Sequence, residues 1–459
     1  MIELAKLYTT VLDVQNYFPP AFKTYDGKGL LSTLQTEALY DSLFTFKQMR
    51  PEDSLDILRG LLVGIDFDTP HGSGWSLNAV LETFKTLLEL TKNKRGVQTI
   101  NKHNLYKQCL PLQPKQIDKV LYDVFCHPKT GANNNYSKAT DAPFLQEKQT
   151  ELGVDFFLKP LLQDKKGNLY LIDRSICAPA FIEGVFTELR KTYKESFDSK
   201  IGTSLENFLK QKLVQHGLNC FSGKYKINGI DGECDAVIET DDTIIFIEIK
   251  KSSLTRNASA GSDVHVLLDL TKSVLAAQKQ AGGHELVLRQ NNSITLDNNG
   301  VKHTIVLNAR NVERIALTLF DYGGFQDRIL LKQFLETSLR LRYNANDARY
   351  KKKFEELNKA IESLVDQETQ LSKFRSDNHN QQPFFNCWFL SLPQLLVLLD
   401  DVFTSDDFKE QLWLTRSVTH GSQDFYYELY LARKLFFNSM EESALKSLMN
   451  RDNTNVVIS

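Results

Sequence analysis

Apolar residues fall at helical spacing in SLDILRGLLVGI (54–65) and SLNAVLETFKTLLELTK (76–92), which predicts two amphipathic helices separated by the breaker PHGSG (70–74). The polar stretch PKTGANNNYSK (128–138) reads as a loop. Over 155–175 the pattern becomes a hairpin, FFLKPLL and LYLID around the turn DKKGN (164–168), and a helix follows from Phe181 to about Tyr193. A further helix is predicted from Thr203 to His216, stopped by Gly217. KYKING (224–229), ECDAVIE (233–239) and TIIFIEIKK (243–251) read as strands, the last two joined through Thr240, Asp241 and Asp242 as an antiparallel hairpin. A polar loop (252–262) leads into a helix over about 263–281, ended by Gly282-Gly283. ELVLR (285–289), HTIVLN (303–308) and VERIALTLF (312–320) predict three more strands. Beyond 327 the chain reads helical again. Phe354, Leu357, Ile361, Leu364 and Leu371 lie near heptad spacing; burial against their own domain is the expected use, and a short coiled coil or oligomer contact the alternative. The tail after Asn450 reads as frayed.

These patterns divide the chain into a helical N-terminal domain (1–150), a hairpin-and-helix connector (151–199), a mixed α/β unit (200–326) and a helical C-terminal domain (327–459), in keeping with 459 residues and about three domains. At 42% hydrophobic and 24% charged, the composition is globular and excludes a largely disordered chain. The net charge of −2 excludes coating of nucleic acid by bulk charge. Basic and acidic residues also balance over 200–290, so phosphate contacts in a monomer would be few, and binding would need a local patch, the flanking domains or a second protomer. The six Cys form no C-x-x-C pair, which argues against a disulfide framework or a zinc ribbon. His103, Cys109, Cys126 and His127 fit no common zinc spacing and are expected in core or surface roles. MIELAKLYTT lacks the layout of a signal peptide, and no apolar run reaches the ~18 residues of a membrane span, so a cytoplasmic protein without membrane contact is expected. There is no internal repeat, no phosphate-binding Gly-rich loop, no G-x-S-x-G and no H-E-x-x-H.

Candidate chemistry concentrates in the two central strands. Glu248 and Lys250 are two apart in IIFIEIK and project from one face with Phe246, while Ile245, Ile247 and Ile249 take the other. Hairpin pairing brings Asp235 near Glu248, so two carboxylates and an ammonium converge at one end of a sheet. A carboxylate inside a β-branched run is costly unless it is paired or metal-bound. Other acidic-x-Lys triplets (Asp164/Lys166, Asp198/Lys200, Asp407/Lys409) lie outside such runs. The bland alternative is a Glu248–Lys250 ion pair on an exposed strand face. The carboxylates, with the Ile249 backbone carbonyl, suit Mg²⁺ or Mn²⁺, and a nearby Lys can orient or deprotonate a nucleophile.

The order helix, three-strand meander, helix, strand, together with Asp235, Glu248 and Lys250, resembles the PD-(D/E)xK nuclease superfamily over about residues 203–320. Cys234 stands where the family name has Pro. The resemblance implies a restriction-endonuclease-like core between helical flanks. It also implies metal-dependent hydrolysis of DNA, with 5′-phosphate and 3′-hydroxyl products and RNA left open. Asp235 and Glu248 would hold the metal and Lys250 would act on the water. Glu206 resembles the acidic residue of the preceding helix, although Thr203-x-x-Glu206 also reads as a capping box. Gln278 and Gln280 are both candidates for the Gln that Mrr-type members carry on the following helix, and they cannot both face the site. Lys251, Arg256 and Lys272 are candidate phosphate contacts, a solvated side chain being the expected use of Lys272, and Tyr225 and Phe246 are candidates to stack bases of a single strand, core packing being the expected use of Phe246. A mobile loop after the catalytic strand would touch the substrate or simply link. By analogy the chain would be a restriction or anti-phage effector of prokaryotes, with an operon-encoded partner or a homo-oligomer able to supply recognition. The alternative is a nucleic-acid-binding or scaffolding protein on a nuclease fold that no longer cuts.

Overall fold

The computed structural model describes residues 27–44, 49–94, 96–127, 158–259, 261–374, 382–416 and 425–436. The expected loop at 128–138, the N-terminal decapeptide and the tail after Asn450 lie outside them. The protein is a mixed α/β structure built on a seven-stranded sheet of order β10-β9-β6-β5-β4-β7-β8, with a separate three-stranded sheet of order β1-β3-β2. The small sheet comprises β1 (Gln98–Ile100), β2 (Leu161–Gln163) and β3 (Leu169–Leu171), so the hairpin expected at 155–175 gains a third strand from upstream. Helices Pro51–Leu61, Leu77–Leu90 and Ala178–Tyr193 form where the apolar spacing predicts them; Ser76 caps the second through Ala79 N–H.

The leading helix of the central unit is longer than expected. It runs over Glu195–Gln215, eight residues upstream of Thr203, so Thr203 is mid-helix and the capping-box reading of Glu206 falls away. Gly217, at φ +75°, ends the turn where a side chain would strike the Phe403 carbonyl. Three antiparallel strands follow: β4 (Cys220–Ile227), β5 (Ile230–Glu239) and β6 (Thr243–Lys250). Asn228-Gly229, both at positive φ, close the first hairpin, and the Thr240–Asp242 turn closes the second as predicted.

Two predicted elements are corrected after β6. The helix does not stop at Gly282-Gly283. A π-helical turn at Thr271–Leu275 joins Asp263–Leu270 to Ala276–Asn291, and the whole crosses the sheet to a left-handed Asn292. ELVLR (285–289) is therefore helix, not strand. Glu285 and Arg289 pair one turn apart at 2.8 Å, and Leu286, Val287 and Leu288 are buried. The strand that does follow is β7 (Ser293–Asn298), hairpinned to β8 (Val301–Val306) through Asn299-Gly300, an Asn-Gly turn signal passed over in the sequence. β9 (Asn311–Thr318) lies parallel to β6. The region read as wholly helical after 327 contributes β10 (Cys387–Ser391), parallel to β9.

The alternation of β6 splits the core as the sequence implied. Ile245, Ile247 and Ile249 join Ala236, Ile238, Ile315 and Leu317 against the leading helix and the N-terminal helices. Phe246 faces the opposite way with Val237 and Ile244, against Ala281, Val287 and Leu288 of the crossing helix. Burying Phe246 completely contributes roughly 1.5–3 kcal/mol, and it is core, as expected. The helix Lys351–Leu371 buries Phe354, Leu357, Ile361, Leu364 and Leu371, with the first four in one cluster with the 266–277 segment, so the heptad-like spacing serves packing within this chain.

Candidate active site

A β-bulge aims the first acid. Phe221 pairs with Val237 and Gly223 with Cys234, so Ser222 alone faces two residues, Asp235 and Ala236. The bulge lets Cys234 and Val237 both enter the core beneath the crossing helix while Asp235 stays half-buried at the sheet surface. One step past the Ala236–Ile247 pair, Asp235 stands beside Glu248, as hairpin pairing predicted. Asp235 Oδ2 accepts the Ile249 N–H at 2.8 Å, and its other oxygen has no hydrogen bond among the described residues. A strand residue turns its N–H and C=O toward one neighbour, so the Ile249 carbonyl faces the Asp235 side as well.

Glu248 is fully buried. Its Oε1 meets His284 Nε2 at 3.0 Å, while Oε2 is buried with no hydrogen-bond partner and lies 3.9 Å from Lys250 Nζ. Burial raises the Glu248 carboxyl above its ordinary range, and the Asp235 charge adds to this; the His284 hydrogen bond and Lys250 pull it back without cancelling the rise. The exposed-strand reading of the pair is thereby corrected. Lys250 is 19% exposed along its side chain and reaches the surface, while its partner is enclosed.

Glu206 comes from the leading helix, half-buried. Burial and the nearby Asp235 charge raise its carboxyl, and Lys210 and Lys250 offset part of that. It therefore stands within electrostatic reach of both Asp235 and Lys250. Cys234, beside Asp235, is pushed well up by burial and by Glu248 and Asp235, so it remains a thiol in the core.

Neither Gln takes the expected role. Gln278 is buried but points between β9 and β10, donating to the Arg314 and Trp388 carbonyls at 3.3 and 3.1 Å. Gln280 is exposed. The crossing helix reaches the acids through His284 instead, four residues further on. His284 Nδ1 is 2.8 Å from the Tyr225 hydroxyl, and Tyr225 is buried, which corrects its reading as a stacking residue. No local sequence pattern singles out His284. Its signal was a His on the buried side of a helix, legible only once that helix is continued through Gly282-Gly283.

The candidate phosphate contacts are dispersed. Lys251 is exposed and donates to the Asp198 carbonyl at 2.7 Å, laid across the leading helix. Arg256 opens the short helix Arg256–Ser259, and Lys272 is exposed on the crossing helix. The loop between is anchored: Thr255 N–H and Oγ1 both donate to Asp269 Oδ2 at 2.7 Å.

The donor set fits a hard divalent cation. Asp235 and Glu248, on adjacent strands, each keep one carboxylate oxygen without a hydrogen bond among the described residues, and Mg²⁺ is commonly bound by one or two carboxylates with several waters retained. Among the described residues no group of three His, Cys, Asp or Glu forms a ready cage, and His103, Cys109, Cys126 and His127 form none either. All six Cys are free thiols. No described helix is long and apolar enough to cross a membrane. Comparison of the chain with family models, curated proteins and solved structures gives no match, so the arrangement of residues at this sheet end carries the functional reading.

Proposed function

We propose that this protein is a metal-dependent endonuclease of the PD-(D/E)xK type that hydrolyses phosphodiester bonds in DNA, acting as a prokaryotic restriction or anti-phage effector. The observation that carries the reading is the buried Oε2 of Glu248, which among the described residues has no hydrogen bond and only the Lys250 ammonium near it, beside the bulge-borne Asp235. The order of leading helix, three-strand meander, crossing helix and parallel strand supports it.

Asp235, Glu248 and the Ile249 carbonyl would hold Mg²⁺ or Mn²⁺. The ion, when bound, lowers the pKa of a coordinated water and neutralises charge at phosphorus. Lys250 orients the attacking water and stabilises the charge that develops. Glu206, whose carboxyl burial and the Asp235 charge raise, would support the water or the ion from the leading helix. Water oxygen attacks phosphorus, the bond to the 3′ oxygen breaks, and that oxygen takes a proton, leaving a 5′-phosphate and a 3′-hydroxyl. Lys251, Arg256 and Lys272 supply few phosphate contacts, so binding is weak and salt-sensitive unless a second protomer or an operon-encoded partner adds surface.

The test is incubation of supercoiled plasmid with the full chain in Mg²⁺, Mn²⁺ or EDTA, beside Asp235→Ala and Lys250→Ala. Nicking that requires metal and disappears in both variants supports the reading. A parent that binds DNA and Mn²⁺ but cuts neither DNA nor RNA would replace it with the non-cleaving scaffold.

A further inference from the structure

Three residues from three separate elements make a buried chain of hydrogen bonds behind the candidate metal site. Tyr225 on β4 meets His284 Nδ1 at 2.8 Å, and His284 Nε2 meets Glu248 Oε1 at 3.0 Å. Tyr225 and His284 are 6% and 4% exposed, and Glu248 is fully enclosed. The rings of Tyr225 and His284 cross at 79° with centroids 5.5 Å apart, and the Phe246 ring lies tilted with its centroid 5.6 Å from that of the imidazole.

The chain has a direction. An ionised Glu248, as a metal ligand must be, only accepts, so in that state His284 Nε2 carries the proton between them. Burial and the nearby Glu248 charge push the Tyr225 phenol up, so its hydroxyl keeps its proton and can donate to Nδ1. Each group thereby fixes the next: tyrosine sets the ring, and the ring fixes one carboxylate oxygen. The second oxygen is left at a single position, facing Lys250. Glycine 232 shows that space was made for this. Gly232 pairs across the strands with Tyr225, and any side chain there would overlap the phenol ring.

We infer that His284, oriented by Tyr225, is the positioning residue that holds Glu248 for a divalent cation. The inference rests on the metal-dependent reading above and extends it to residues that never touch the ion. Groups behind metal ligands orient them in this way, and their loss commonly weakens metal affinity about 10–100-fold.

The experiment is Mn²⁺ binding to the full chain, followed by electron paramagnetic resonance of free Mn²⁺, with a melting curve for every variant. His284→Ala should weaken binding by about 10–100-fold. His284→Gln, which retains an N–H donor, should restore most of the loss, and Tyr225→Phe should weaken binding less than His284→Ala. Should His284→Ala fail to fold, Tyr225→Phe, which removes one hydroxyl, still decides. Binding in the parent that is lost in Asp235→Ala but unchanged in His284→Ala or Tyr225→Phe overturns the inference and leaves the metal site standing. A lower melting temperature with unchanged affinity likewise reduces the chain to a packing role. A parent that binds no Mn²⁺ removes both the metal site and the inference.

Discussion

Glu248 is held by one oxygen and left open at the other, and that asymmetry distinguishes it from the paired carboxylates elsewhere in the fold. Glu285, equally enclosed, meets Arg289 and Asn386 with its two oxygens. Lys250 is the nearest cation to the open oxygen of Glu248 and reaches the surface, so its removal should leave the fold standing. Lys250→Ala is expected to change stability by about 1 kcal/mol or less and to lower cleavage by roughly 10²–10⁴-fold, read by denaturant unfolding and by plasmid nicking. Loss of the folded state along with activity would mean that Lys250 is a structural ion-pair partner. Asp235, Glu248 and Lys250 could be read in the sequence because strand parity and a three-residue turn fix which side chains meet. His284 could not. Its importance depends on Glu248 36 positions away and Tyr225 59 positions away, contacts that no local pattern encodes.

The crossing helix shows how a tertiary contact overrides local signals. Two adjacent glycines read as a helix stop, since glycine costs helix stability and favours C-terminal caps. Here Gly282 is needed inside the helix for a different reason. A Cβ at Gly282 would lie 2.6 Å from Arg314 Nη1 and 3.1 Å from Gln367 Oε1. Arg314 is completely buried and bridges Glu285 and Glu368 at 3.4 and 3.0 Å, so it has nowhere to withdraw. Gly282→Ala should therefore destabilise the protein by about 1–3 kcal/mol despite alanine's better helix propensity, measured by urea unfolding. A stabilised variant would show that the groove has slack. Burial pushes the Glu285 carboxyl up, but Arg314 and Arg289 outweigh it and hold the group below its usual value of 4.5. The sign follows: this contribution to stability is complete above pH 4.5 and is lost as pH falls through the lowered value. Glu285→Gln should lower stability near neutral pH by about 3 kcal/mol and flatten the acid limb of the melting temperature against pH. An acid limb identical to that of the parent would assign acid sensitivity to other carboxylates.

Across the whole molecule, the segment after 327 is fastened to the sheet and to the crossing helix at once. β10 lies beside β9, Trp388 is buried with its indole N–H on Glu313 Oε2 at 3.0 Å, and Gln278 ties the crossing helix to the Trp388 carbonyl. The sequence did not show this because CWFLS is a short apolar run among helical patterns, and periodicity cannot separate a five-residue buried strand from buried helix. Trp388→Ala is expected to cost about 3–5 kcal/mol. A fragment spanning 200–326 should lack a cooperative unfolding transition by circular dichroism, because it exposes the β9 edge and leaves Arg314 without Glu368. A fragment that unfolds sharply would establish it as an independent folding unit.

The parallel ribbon β6–β9–β10 aligns Lys250 with Thr318 and Thr318 with Ser391. Strands so distant along the chain pair slowly, because a long loop must close before any contact forms. During synthesis the residues around Lys250 leave the ribosome well before Ser391, and through that interval the outer backbone of β9 is an unpaired edge. The nascent chain thus carries all the residues of the candidate site while its supporting sheet is still open, and the site gains its full support only late in translation, when β10 closes against β9.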